Sequence, residues 1–156
     1  MQTLKLYNKL KDFPGGRRIF TWGVCRTAPY FASIRPLTED LRPGYARVTM
    51  KKRRKVENHI HTVHAIAMCN LAEIVMGLVT EVSIPPGARW IPVGMTVAYL
   101  RKATTDLTGS ADVSHLDWSG DGNFVVPVKV TDTQQQLVFT ADITVNIKHA
   151  GASRAA

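Results

Sequence analysis

Glu73 lies inside the longest apolar run of the chain, which extends from His64 through Ala65-Ile66-Ala67-Met68-Cys69-Asn70-Leu71-Ala72 to Ile74-Val75-Met76-Gly77-Leu78-Val79. A carboxylate in an apolar helix needs a partner or a task, because desolvating a charge is costly. Desolvation moves a buried carboxyl toward the range in which it serves as a general base near neutral pH. The structural alternative is a carboxylate satisfied by Asn70 or by a neighbouring basic side chain. Upstream stand Asn58, whose amide can position a carbonyl or water or close a turn, and Thr62, which reads as the helix N-cap. That cap would put Val63, His64 and Ala65 in the first turn, with free N–H groups that attract a developing negative charge.

The apolar residues of this run fall on every face of a 3.6-residue helix, so the pattern predicts a central core helix over about 62–82, surrounded by protein. It reads as too short and too interrupted to span a membrane. Before it, Leu4, Leu6, Tyr7, Leu10 and Phe13 give an amphipathic cap ended by Pro14-Gly15-Gly16. A second helix is expected over 17–27, a short strand over 29–34 and a strand over 44–56. After Pro85-Pro86-Gly87 the period changes from 3.6 to 2, predicting strands over 89–103, 108–116, 124–132 and 136–148. Two strands, one apolar helix and four strands on short turns describe an α+β domain with an antiparallel sheet wrapped around a long central helix. The expected organisation is one domain over 1–156, with an N-terminal helical segment (1–28), a core (29–148) and a flexible tail (149–156).

A formal charge of +8 and a sequence pI near 9.8 favour an anionic partner without naming it. Two cysteines, Cys25 and Cys69, cannot build a metal site alone, and the default setting is reducing and cytoplasmic. The charged first residues contain no signal-peptide core, so a soluble protein without a cleaved leader is expected. Lys51-Lys52-Arg53-Arg54-Lys55 reads as a solvated strand face. A nucleic-acid surface would interleave rings with its cations, whereas the run Lys51–Lys55 contains none and Tyr99 is a single ring beside the pair Arg101-Lys102, so no nucleic-acid or membrane partner is expected. His59, His61 and His64 would need Glu57 or another ligand to hold a metal, and none is expected. Trp22, Trp90 and Trp118 read as packing residues, and Met68, Met76 and Met95 as core filling or the lining of an apolar tunnel.

Asn58, then His64-Ala65-Ile66, then Leu71-Ala72-Glu73 resembles the hotdog-fold acyl-CoA thioesterases of the phenylacetic-acid-degradation type. That family commonly has an Asn, a His-Gly-Gly at a helix start and Leu-Ala-Asp or Leu-Ala-Glu on the helix. The segment from Trp90 to Ala103 is similar to the family's next strand, which ends in a tyrosine-containing stretch near the coenzyme A path. The resemblance covers roughly residues 29–148 and is strongest to an uncharacterised branch of the superfamily. It implies a hotdog fold and hydrolysis of an acyl-CoA-type thioester, with coenzyme A as part of the substrate and no other cofactor. The non-catalytic alternative is an acyl-CoA-binding protein.

By that resemblance Glu73 is the general base or nucleophile, Asn58 holds the thioester or water, and the Ala65 N–H beside His64 polarises the carbonyl. Ile66 and Met68 would border the substrate and Tyr99 the coenzyme A path, and the cations expected to meet the coenzyme A phosphates are Arg101 and Lys102, with Arg53 or Arg54 as further candidates. Ala65-Ile66 stands where the family has paired glycines, crowding the approach to the backbone. Ala65 and Glu73 are ~12 Å apart along one helix, too far to act on one carbonyl. A homodimer with the site between subunits is therefore expected, with pairing into a homotetramer open.

Overall fold

The computed structural model describes residues 2–149. Two helices, α1 (Gln2–Leu10) and α2 (Gly16–Thr27), precede a 3-10 helix, Pro29–Ile34. Then come β1 (Leu37–Arg42), β2 (Tyr45–Met50), a 3-10 turn (Arg54–Val56) and the long helix α3 (Ala65–Ser83). The chain continues with β3 (Arg89–Tyr99), β4 (Leu107–Asp112), β5 (Gly122–Thr131) and β6 (Leu137–Lys148). The strands form one antiparallel sheet in the order β1-β2-β4-β5-β6-β3, leaving β1 and β3 as its edges.

Alternation makes the sheet two-faced, and the inward residues close on α3. Ala46, Val48 and Met50 of β2 and Ala141, Ile143, Val145 and Ile147 of β6 are buried with Leu71, Val75 and Val79 of the helix. The helix lies close to β4 because Gly109 has no side chain there. A Cβ at Gly109 would come within 3.0 Å of the Val75 Cγ2 atom and 3.2 Å of the Leu71 Cγ atom. The turn between α1 and α2 depends on a second glycine, since a Cβ at Gly16 would meet the Leu10 carbonyl. Two ties hold the N-terminal pair on the sheet: the Tyr7 hydroxyl donates to the Glu39 carbonyl, and the Thr38 N–H donates to Thr21 Oγ1.

Several expectations change. Residues 29–34 form a 3-10 helix rather than a strand, and Leu37–Arg42 is a strand the sequence pattern did not disclose. The second strand ends at Met50, so the basic run Lys51–Lys55 is a connection and 3-10 turn rather than a strand face. At 19 residues α3 is long and apolar enough by composition to cross a bilayer. Burial by the sheet, not shortness, makes it a core helix. The expected tail Gly151–Ala156 lies outside the described residues. His149, assigned to that tail, is tied to Asp121, whose Oδ1 accepts from its backbone N–H at 2.8 Å and lies 2.7 Å from its ring Nδ1.

Candidate functional site

Helix α3 begins at Ala65, two residues later than a Thr62 cap would give. The Val63 N–H is drawn to the Ala103 carbonyl and the His64 N–H to the Val56 carbonyl, both at 2.8 Å, which holds the chain extended through His64. His64 is therefore the N-cap, and its Nδ1 accepts from the Ile66 N–H at 3.1 Å. The Ala65 N–H has no hydrogen-bond partner among the described residues and remains the open donor at this helix end. Ile66, the next residue, is 54% exposed.

Asn58 closes the turn before the helix. Its Nδ2 donates to Thr62 Oγ1 at 2.8 Å, while its Oδ1 accepts from the N–H groups of Ile60 and Thr62. One Nδ2 hydrogen is left for a ligand. His61 adopts a left-handed backbone (φ 60°) in this turn and lies 3.7 Å from Glu57, whose carboxyl is held below its ordinary value first by the hydrogen bond from Lys52. Among the described residues no three of His, Cys, Asp and Glu converge as a metal site.

Glu73 does not sit in the core. Among the less buried positions of α3, Ile66, Cys69, Glu73, Gly77 and Glu81 recur every three or four residues and form one stripe beside β3. The stripe and strand meet at both ends: Cys69 Sγ is 3.5 Å from the Tyr99 hydroxyl, and Trp90 Nε1 donates to Glu81 at 3.0 Å. The contact with the Cys69 thiol, then burial, push the Tyr99 phenol above its ordinary value. Half-exposed Glu73 has no hydrogen bond or ion pair among the described residues. Asn70 does not serve it, because the Asn70 amide donates to Ser33 Oγ and the Tyr30 carbonyl.

An apolar cavity of about 470 Å³ opens beside Glu73, walled by Val24, Phe31, Met76, Leu78 and Trp90. Two of these walls come from α2 and the first 3-10 helix, elements the sequence pattern gave no role in the site. Met68 lies in the core instead, 4% exposed. Arg101 and Lys102 are exposed on the segment after β3, which the Val63–Ala103 bond ties to the start of α3. Trp22, expected to pack, is 65% exposed.

The edge strand β3 is uncovered. Ile91, Val93, Met95 and Tyr99 are all exposed, and the bulge between Pro92 and Gly94 brings Val93 out of register. Across the bulge Ile91 lies opposite Asn146 and Met95 opposite Ile143, so exposed apolar residues fall on both faces of the strand, and no described residue buries them.

A family model described as a domain of unknown function, DUF4442, matches residues 16–147. The chain belongs to this family. A structural-genomics crystal structure designated APC5556 is 50% identical over 96% of this chain and 97% of its own, with a TM-score of 0.85. The Haemophilus influenzae thioesterase HI1161 is 13% identical, with a TM-score of 0.72 over 85% of this chain and 91% of its own. The Escherichia coli PaaI protein of the phenylacetic acid degradation operon is 18% identical, with a TM-score of 0.69 over 81% and 88%. No curated protein matches in sequence. The DUF4442 chain thus has the hotdog fold, shared with thioesterases.

Proposed function

We propose that this DUF4442 protein hydrolyses an acyl-CoA-type thioester to a free acid and a thiol. The observation that carries this is the Glu73 carboxylate, without a partner among the described residues, in the lining of an apolar cavity. Glu73 takes a proton from water as the water oxygen bonds to the thioester carbon. The carbonyl oxygen gains the electron pair and is held by the Ala65 N–H, with the free Asn58 Nδ2 hydrogen steering water or thioester. Collapse of this intermediate re-forms the carbonyl and breaks the C–S bond, and the thiolate leaves with the proton. His64 contributes as the cap that fixes the helix start, and the acyl chain enters the cavity beside Met76 and Trp90.

The two ends of this machinery must come from two copies, since Ala65 and Glu73 are ~12 Å apart along α3. A homodimer joined along β3 covers the exposed Ile91, Val93 and Met95 and brings the Glu73 stripe under a partner. A cytoplasmic location fits its reduced cysteines.

The second reading, a binding protein without turnover, draws support from the helix start, where the Ile66 N–H is already taken by His64 and Ala65-Ile66 stands in place of paired glycines. Release of thiol from short, long and aromatic acyl-CoAs by wild type and Glu73→Gln separates the two. Turnover lost in the variant with binding retained supports hydrolysis; binding without turnover in wild type supports the second reading.

A further inference from the structure

The charge of this chain is divided unevenly. Residues 1–64 carry 14 Lys and Arg against 4 Asp and Glu, whereas residues 65–156 carry 6 against 8. Several cations of the first part are neutralised: Arg17 by Glu39, Arg42 by Asp40 and Lys52 by Glu57. Arg18, Arg35, Lys51 and Arg53 have no ion pair among the described residues, and they gather around one groove.

The groove runs between α2, the first 3-10 helix and the β1–β2 edge, with a volume of about 570 Å³. Arg18, Arg35 and Lys51 line it with Thr49, Cys25 and the exposed ring of Trp22. Its lining contains no carboxylate; Glu39, which borders it at Thr49, is already paired with Arg17 at 2.9 Å. Arg26 lies 5.5 Å from the centre of the Trp22 ring and leaves the ring's other face for a ligand. Behind Arg35 sits Arg53, whose Nη2 donates to the Ser33 carbonyl at 2.6 Å while its Nε is buried without a partner. Desolvation, then the nearby Arg35 charge, lower Arg53 from its ordinary value. Neither Arg35 nor Arg53 has an ion pair among the described residues, and an added anion would stabilise both charges.

We infer that this groove binds the 3′-phosphoadenosine diphosphate end of coenzyme A, with the adenine on Trp22 and the phosphates on Arg18, Arg35 and Lys51. The position suits the thioester site. The Pro29–Ile34 3-10 helix is a wall common to two cavities: Ala32 and Arg35 face the groove, while Tyr30 and Ser33 face the pocket at the start of α3 that holds His64 and Ile66. Six 3-10 residues span ~12 Å, a distance an extended pantetheine arm crosses. A concave groove with one ring among its cations matches a ring bearing phosphates better than it matches a flat membrane. The inference rests on the acyl-CoA reading for the identity of the ligand but not on turnover.

The test is calorimetric binding of adenosine 3′,5′-bisphosphate and of coenzyme A to the full chain at low ionic strength. Arg18→Ala/Lys51→Ala should weaken both by about 10-fold, as expected for lost charge-assisted contacts. These side chains make no hydrogen bond among the described residues, so the fold should survive. Trp22→Ala should weaken binding similarly, and bisphosphate should quench indole fluorescence in wild type but not in that variant. With turnover as readout, the KM ratio of acyl-CoA to acyl-pantetheine should rise in both variants. Absence of bisphosphate binding overturns the proposal. So does undiminished binding in both groove variants, or loss of binding only in Arg101→Ala/Lys102→Ala. Lost binding to anionic vesicles in the groove variants, without any bisphosphate effect, overturns it in favour of a membrane surface. Bisphosphate binding that depends on the groove in a protein with no hydrolytic activity leaves the groove assigned and defeats only the thioesterase reading.

Discussion

Glu73 is conspicuous in the sequence because its type conflicts with the apolar residues around it from Ala65 to Val79, and such a conflict is legible without a structure. Its surroundings are not. Whether a helical position is buried depends on what lies beside it, and β3 flanks the Glu73 stripe incompletely. The cap was misplaced for a related reason: Thr62 is the better intrinsic capper, but the bonds to Ala103 and Val56 hold the chain extended through His64. Glu73→Gln preserves shape and removes the base, so turnover should fall by about 10²–10⁴-fold with KM little changed. The melting temperature should stay near wild type, because no described residue pairs with that carboxylate. A variant that keeps its turnover in a thiol-release assay removes Glu73 from the mechanism.

At the scale of elements, α3 and the late strands were readable because each period persists over many residues. The elements that misled are short or polar. β1 carries Thr38, Glu39, Asp40 and Arg42 around two leucines and lies at a sheet edge, where charge guards against pairing with other chains. The 29–34 segment has apolar content but begins at a proline that suits the first turn of a helix. Neither the cavity wall from α2 nor the Trp22 groove could be seen, since both arise from packing between distant segments. Gly77 gives this scale its prediction. A Cβ there would lie 3.3 Å from Trp90 Cη2, so a larger side chain projects into the cavity. Gly77→Leu should raise KM for long and aromatic acyl groups by about 10-fold while sparing acetyl-CoA, in line with a few lost methylene contacts. Equal loss on all chain lengths would place the acyl group elsewhere.

For the whole molecule, one prediction concerns the end of the sheet and the other its missing partner. Asp121, at the start of β5, is held below the usual carboxylate range first by the hydrogen bond from the His149 side chain, then by that from its backbone. A depressed folded value means stabilisation that is complete above the ordinary Asp value near 3.9 and is lost as pH falls through the folded value. Asp121→Asn should therefore lower the melting temperature at pH 7, with the difference closing as pH falls to about 2. A constant difference across that range would assign the effect to packing. The larger question is whether two copies build one site, and α3 itself supplies a decisive pair of variants. Ala65→Pro removes only the open N–H, at the first helical position where proline is tolerated, after a His64 whose backbone (φ −63°, ψ 139°) already suits a following proline. Glu73→Gln removes the base from the other end. Each homodimer should be inactive. In a heterodimer one site receives the intact Ala65 of one chain and the intact Glu73 of the other, while the second site carries both defects. Statistical exchange makes half the dimers mixed, each with one working site in two, so the mixture should recover about a quarter of wild-type activity. Val93→Lys, which charges the exposed edge of β3, should abolish that recovery and yield monomers in sedimentation. A site built within one chain would give no recovery at any mixing ratio, because neither variant chain contains both groups.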